Sequence, residues 1–201
     1  MKSVVVFPER CVGCMQCMFE CTVSHSQTKD FRAIFEEPMP KSRIRVFPTI
    51  ENYAFPSKCR HCEPAPCMEA CPTSAVKREE GIVFVDVNRC INCGMCAMVC
   101  PFGVIRFHLD WKRAEKMPVS YKCDGCIERV SEGELPACVE ACKTGALKYG
   151  DVNELIKEEE RRIASTYSPL FQKKEIVPEN YRMWIELKRR VEREVKEVGG
   201  R

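Results

Sequence analysis

The feature that most constrains this chain is the run over residues 88–101, where Cys90, Cys93, Cys96 and Cys100 stand ahead of Pro101. Residues 58–72 carry a companion run, with Cys59, Cys62, Cys67 and Cys71 ahead of Pro72. Thiolates at three-residue intervals, then one more and a proline, have the spacing of a bacterial iron–sulfur run. The cubane explains it. Each iron takes one outside thiolate, and a short loop wraps three irons without reaching round to the fourth. That one falls to the last cysteine of a companion run. Proline suits a chain that must turn there.

Two further groups flank this pair. Cys11, Cys14, Cys17 and Cys21 repeat the spacing of Cys90–Cys100, while Cys123 and Cys126 are separated from Cys138 and Cys142 by a longer gap. All sixteen cysteines thus fall into four quartets with none left over, which implies four 4Fe-4S clusters. Zinc ribbons use two separated pairs, whereas Cys11, Cys14 and Cys17 crowd three ligands into one loop; only Cys123/Cys126/Cys138/Cys142 has a zinc-like spacing. Cysteines this close make poor disulfide staples. Residues 1–8 lack a signal-peptide layout, no twin arginine stands ahead of them, and no apolar run reaches membrane length, so the reading is cytoplasmic and reducing. The formal charge of +3 counts thiols as neutral; four clusters would bring it to roughly −5. With no basic stripe carrying interleaved aromatics, nucleic acid is excluded as a partner.

Internal repetition organises the remainder. Strands are expected at residues 4–7, 43–47, 81–86 (in a hairpin), 102–107 and 145–149, with helical turns carrying the last cysteine of each run. The short linker between Cys71 and Cys90 gives residues 51–107 the length of one compact two-cluster unit. The outer runs would then pair across that insertion, making a second unit of residues 1–50 and 108–150. Sequential pairing, first run with second and third with fourth, is the alternative in chain order and stays open on spacing alone.

Residues 151–201 hold no cysteine and many charges. A polar helix is expected over 152–164, capped by Asn153 and broken at Ser168-Pro169. A second starts near Pro178, a residue favoured at the first helical position. Its apolar positions Tyr181, Trp184, Leu187, Val191, Val195 and Val198 form a stripe that either covers its own domain, the simpler expectation, or docks a partner. No Cys–His nucleophile is legible among His25, His61 and His108. His61 reads as a half-exposed loop residue, able also to donate a hydrogen bond toward sulfur. Lys58, Arg60, Lys122 and Lys143 stand beside cysteines, where a cation would favour the reduced state of a cluster.

The four groups in this order, with the Cys59-x2-Cys62-x4-Cys67-x3-Cys71-Pro72 form and a widely split last group, resemble the four-cluster iron–sulfur subunit family. That family serves molybdopterin oxidoreductases such as formate dehydrogenase and dimethyl sulfoxide reductase. It also includes electron-transfer proteins of carbon monoxide dehydrogenase, tungsten aldehyde oxidoreductases and some hydrogenases. The resemblance covers roughly residues 1–150. It implies an α+β fold: two ferredoxin-like two-cluster units, one inserted in the other, with short β-hairpins and helices around four cubanes and a helical C-terminal extension. It also implies ligand sets of Cys11, Cys14, Cys17 with Cys142; Cys123, Cys126, Cys138 with Cys21; Cys59, Cys62, Cys67 with Cys100; and Cys90, Cys93, Cys96 with Cys71. The expected role is electron transfer, without catalysis of its own, between a tungsten, molybdenum or nickel subunit and an acceptor or donor protein. The likeness is closer to soluble members, since the twin-arginine leader and C-terminal membrane helix of respiratory versions are not seen. A free polyferredoxin serving several enzymes would carry the same cysteines. A zinc-binding scaffold is the remaining alternative.

Overall fold

The computed structural model describes residues 2–48, 54–113, 116–172 and 179–198, with side chains left undescribed at 168–172, 179–182, 192 and 194–198. The chain divides into two compact units, Met1–Val152 and Asn153–Arg201.

The first unit is built from short pieces. Its strands are β1 (Lys2–Val6), β2 (Arg45–Pro48), β3 (Ala54–Ser57), β4 (Val76–Glu79), β5 (Ile82–Val85), β6 (Arg106–His108), β7 (Val119–Tyr121) and β8 (Leu147–Asp151). They form four antiparallel sheets of two strands each: β1–β8, β2–β3, β4–β5 and β6–β7. The valine run of β1 pairs with β8 in the register Val4↔Tyr149 and Val6↔Leu147, tying the start of the unit to its end. Val4 and Leu147 turn inward from this ladder. The β4–β5 hairpin closes through Glu80 and Gly81, both at positive φ, as a two-residue turn that matches strand twist requires. Ala54-Phe55-Pro56-Ser57 does not announce a strand, because proline donates no ladder hydrogen bond. In a two-stranded sheet every strand is an edge, and there Pro56 is tolerated and buried. The strand expected over 102–107 is confined to Arg106–His108, since Gly103 turns the chain at φ +56° just before it.

Helices α1 (Gln16–Ser24), α2 (Pro66–Glu69), α3 (Met95–Met98), α4 (Ile127–Ser131) and α5 (Ala137–Glu140) complete the unit. The turns α2, α3 and α5 carry the third cysteine of a run, and its fourth follows just beyond each turn; α1 holds both Cys17 and Cys21. One core cluster gathers Val4, Cys17, Cys21, Ile44, Val46, Ala54, Cys138 and Leu147. A second holds Ala65, Val76, Val83, Cys96 and Ile105. A third joins Ala75, Cys90 and Val119.

The second unit holds α6 (Val152–Gln172) and α7 (Glu179–Val198). Two expectations are corrected here. Asn153 lies inside the first turn of α6, so it is not the cap. The helix also continues through Ser168-Pro169 to Gln172. Proline removes one N–H and crowds the carbonyl of the preceding turn, a cost of about 3 kcal/mol. Four turns of helix already precede it, so propagation rather than nucleation decides the outcome. Pro178 lies outside the described residues. Trp184, Leu187 and Val191 of the α7 stripe are exposed, Trp184 at 66 %. The side chains of Tyr181, Val195 and Val198 lie outside the described residues. Among the described residues no helix is long and apolar enough to cross a membrane.

Candidate iron–sulfur sites

Each run begins with a Cys-x2-Cys loop, and the same backbone device recurs in all four. The residue two past the first cysteine has positive φ: Gly13 at +69°, His61 at +52°, Asn92 at +58° and Gly125 at +69°. A left-handed residue there folds the loop back, so that both flanking thiols face one point. Glycine adopts this conformation without strain, and asparagine and histidine are enriched in it. The curl also aims backbone N–H groups at sulfur. His61 N–H donates to Cys59 Sγ at 3.4 Å and Gly125 N–H to Cys123 Sγ at 3.4 Å. Ser120 N–H of β7 reaches Cys90 Sγ at 3.3 Å, and Arg43 N–H, two residues ahead of β2, reaches Cys21 Sγ at 3.3 Å.

The loops bring the thiols together in four groups. One hollow is lined by Cys90, Cys93, Cys96 and Cys71, with Val76, Val85 and Phe107 around them. Another is lined by Cys59, Cys62, Cys67 and Cys100, closed by Val83, Val104 and Ile105. Cys17 lies within electrostatic reach of Cys142, Cys11 and Cys14. Cys138 has the same relation to Cys123, Cys21 and Cys126.

Burial pushes the Cys17 thiol up to about 11, with Cys142 and Cys11 adding to the rise. Burial likewise takes Cys126 to about 12 and Cys123 to about 11. Thiols packed this way ionise only when a cation shares the hollow, which is the behaviour of a site completed by metal. Sulfur-only donors in apolar hollows suit iron–sulfur clusters. All sixteen thiols are free of disulfides. The residues present therefore fit four 4Fe-4S clusters.

Cys21 differs from its neighbours. Burial raises its thiol, but the hydrogen bond and charge of His25 and the backbone N–H of Arg43 outweigh this and bring it below the ordinary value. His25 belongs to a network that the sequence does not reveal. Its Nδ1 donates to the Cys21 carbonyl at 2.7 Å, and its Nε2 meets Asp124 Oδ1 at 3.1 Å. The other Asp124 oxygen pairs with the Arg43 guanidinium. The N–H of Cys126 donates to Asp124 at 3.1 Å. Asp124 sits inside a Cys-x2-Cys loop, where an acid facing two cations cannot be told from a solvated one by spacing alone.

The remaining candidates separate by burial. His61 is 7 % exposed, not half-exposed: its ring Nδ1 lies 3.1 Å from Val83 N and O, and only its backbone addresses sulfur. Lys58 and Lys122 are buried. Arg60 is exposed and lies over the Phe102 ring, and Lys143 is exposed too.

Comparison with known proteins agrees with this chemistry. Two matches to profiles described as 4Fe-4S dicluster domain cover residues 50–152 and 10–76. An iron–sulfur protein of Rhodospirillum rubrum is 35% identical over 160 residues, covering 76% of this chain and 84% of its own. One component of the anaerobic dimethyl sulfoxide reductase of Escherichia coli is 37% identical over 159 residues, with 74% and 73% covered. One component of the tetrathionate reductase of Salmonella typhimurium is 33% identical over 165 residues, 81% of this chain and 61% of that protein. With two dicluster domains and sixteen cysteines in four convergent groups, this chain belongs to the family of four-cluster 4Fe-4S electron-transfer subunits.

Proposed function

We propose that this chain carries single electrons between the catalytic subunit of an oxidoreductase complex and a separate donor or acceptor protein, and that it catalyses no reaction itself. The observation that carries this reading is the convergence of all sixteen cysteines into four sulfur-lined groups. The clusters, when bound, supply one-electron redox chemistry. The chain's own part is to ligate them, exclude water with Val76, Val83 and Ile105, and set potentials through N–H donors to sulfur. Relatives named as reductase components support a reductase-type partner. That partner would hold molybdenum, tungsten or nickel. A reducing, cytoplasmic setting suits sixteen free thiols.

We further propose cross-shared ligation. Cys11, Cys14 and Cys17 take Cys142; Cys123, Cys126 and Cys138 take Cys21; Cys59, Cys62 and Cys67 take Cys100; and Cys90, Cys93 and Cys96 take Cys71. This amounts to a two-cluster unit of residues 51–107 set into one made of 1–50 and 108–150. Support comes from the composition of the two hollows, from the groups around Cys17 and Cys138, and from the β1–β8 pairing. The β2–β3 and β6–β7 sheets cross the two places where the units would join. Cys100→Ala is expected to lose or convert the cluster held by the Cys59 run, leaving the Cys90 run loaded, and Cys71→Ala the reverse. Iron content and the electron paramagnetic resonance (EPR) spectrum of each variant read this directly. Loss of the variant's own run instead would exclude crossing.

The complex is tested by anaerobic purification from the native source through a tag on this chain. About sixteen irons per copy, with molybdenum, tungsten or nickel on a second polypeptide, is the expected result, and Trp184→Ala on the exposed face of α7 should release that polypeptide. Iron on a lone chain would instead identify a free polyferredoxin. Zinc in place of iron would overturn the reading.

A further inference from the structure

Two lysines in this protein occupy places where lysine is rarely found. Lys58 and Lys122 are each 3 % exposed. Each directly follows the second strand of an antiparallel pair, β3 or β7, and stands one residue ahead of a Cys-x2-Cys loop. Lys122 Nζ donates to the Cys123 carbonyl at 3.1 Å, to the Val83 carbonyl, and to Cys59 Sγ at 3.6 Å. Lys58 Nζ donates to the Cys59 carbonyl at 3.0 Å and lines the same cleft as His61, Ile82, Cys123 and Gly125. Among the described residues neither ammonium has a carboxylate partner. Asp124, the nearby acid, is engaged by Arg43 and His25.

An unpaired buried ammonium costs several kcal/mol. Carbonyl oxygens offset part of that; beside Glu80 and Glu134 on the cleft wall, the anions that face the two lysines are the thiolates of Cys59 and Cys123. The assignment of those thiolates is crossed. Lys122 precedes Cys123, but its Nζ reaches Cys59 Sγ at 3.6 Å. Lys58 precedes Cys59, yet it lines a cleft that it shares with Cys123. The two sets meet here, with Ile82 against Gly125: a Cβ on that glycine would come within 3.0 Å of Ile82.

We propose that Lys58 and Lys122 are a crossed pair of potential-setting cations at the junction between the Cys59/Cys62/Cys67/Cys100 and Cys123/Cys126/Cys138/Cys21 groups, each placing its charge against the sulfurs of the set it does not precede. One added electron makes a four-thiolate site more negative by one unit. A fixed cation in a low-dielectric wall favours that state more than the oxidised one. With one cation for each side, both junction sites are made easier to reduce than they would be alone. The electron is thereby held where it must cross from one pair of clusters to the other.

This inference rests on the four-cluster, cross-shared reading, and its test separates the two. The full chain is loaded anaerobically and titrated with a low-potential one-electron reductant under EPR, with the junction signals assigned through Cys62→Ser and Cys126→Ser. Wild type lacking four reducible centres would defeat the underlying reading. With wild type intact, Lys122→Gln is expected to weaken reduction of the Cys59-run site about tenfold, ~59 mV for one electron. Lys58→Gln should do the same at the Cys123-run site. Lys143→Gln, on an exposed lysine, should shift neither. Unmoved potentials, or shifts only at the site each lysine precedes, would overturn the proposal. If the glutamine variants fail to hold iron, arginine at the same positions decides: loaded arginine variants with near-native potentials support a role for charge, and unloaded ones overturn it.

Discussion

Removing the iron is expected to abolish the cooperative unfolding transition of Met1–Val152. No element among the described residues of this unit is large enough to stand alone. Its four sheets have two strands each, and an isolated pair of strands is at best marginal in water. Four of its five α-helices run only four or five residues, far below the length at which a helix persists unaided. The core is equally thin. Of the 24 buried hydrophobic residues among those described, seven are cysteine and seven alanine. Side chains that small supply little of the apolar burial that offsets chain entropy. The thiols converge from segments as distant in sequence as Cys11 and Cys142, so clusters would reinforce ends that only a two-stranded ladder and small side chains otherwise hold together. Structural metal sites contribute on the order of 10 kcal/mol to folding. Chelation under denaturing, anaerobic conditions followed by return to buffer should leave a chain without a sharp thermal transition and with dye-accessible apolar surface. A metal-free protein that melts with native cooperativity would show that the polypeptide holds itself together.

The second large effect is expected at Asp124. Its carboxylate faces the Arg43 guanidinium on one oxygen and the His25 imidazole at 3.1 Å on the other. Both cationic side chains are mostly buried, Arg43 over the ring of Tyr121. Asp124→Asn keeps the shape and removes the charge, leaving two buried cations uncompensated. Breaking one partner of such a pair costs about 3–5 kcal/mol, which anaerobic denaturant unfolding would register. A loss under about 1 kcal/mol would contradict this. Replacing the pair with apolar groups in Asp124→Leu/Arg43→Met should recover much of the loss, since a removed pair costs less than a broken one.

The same network sets a pH window. Burial raises the Asp124 carboxyl, but Arg43 and His25 outweigh it and hold it far below its ordinary 3.8. Its contribution is present above that value and fades as pH falls further. Burial opposes the charge on His25, yet its hydrogen bonds to Asp124 and Cys21 lift it from 6.5 to about 9. That contribution is complete below about pH 6.5 and disappears as pH rises through 9. Stability from this network should therefore plateau between about pH 4 and 6.5 and decline above, and Asp124→Asn should flatten the alkaline decline.

The cysteine quartets were legible because cluster ligation is largely local. Three ligands within one short loop encode their purpose in spacing alone, and β5 follows from a β-branched run beside the Gly81 turn. The left-handed residue of each loop is also written in the chain, as Gly13, His61, Asn92 and Gly125, once its role is known. Other features were decided only in three dimensions. Strand β3 exists despite Pro56 because a partner strand and the core beside Val46 override its weak propensity. The helix α6 continues past Pro169 because the turns already formed outweigh one lost hydrogen bond. Among four basic residues beside cysteines, Lys58 and Lys122 are buried while Arg60 and Lys143 face solvent. Nothing local distinguishes them, since a charge takes its meaning from what surrounds it. The family and the cofactor, then, were determined by the sequence itself, through contacts among near neighbours; the buried charges around the clusters were decided by the tertiary structure, because they depend on which distant segments meet.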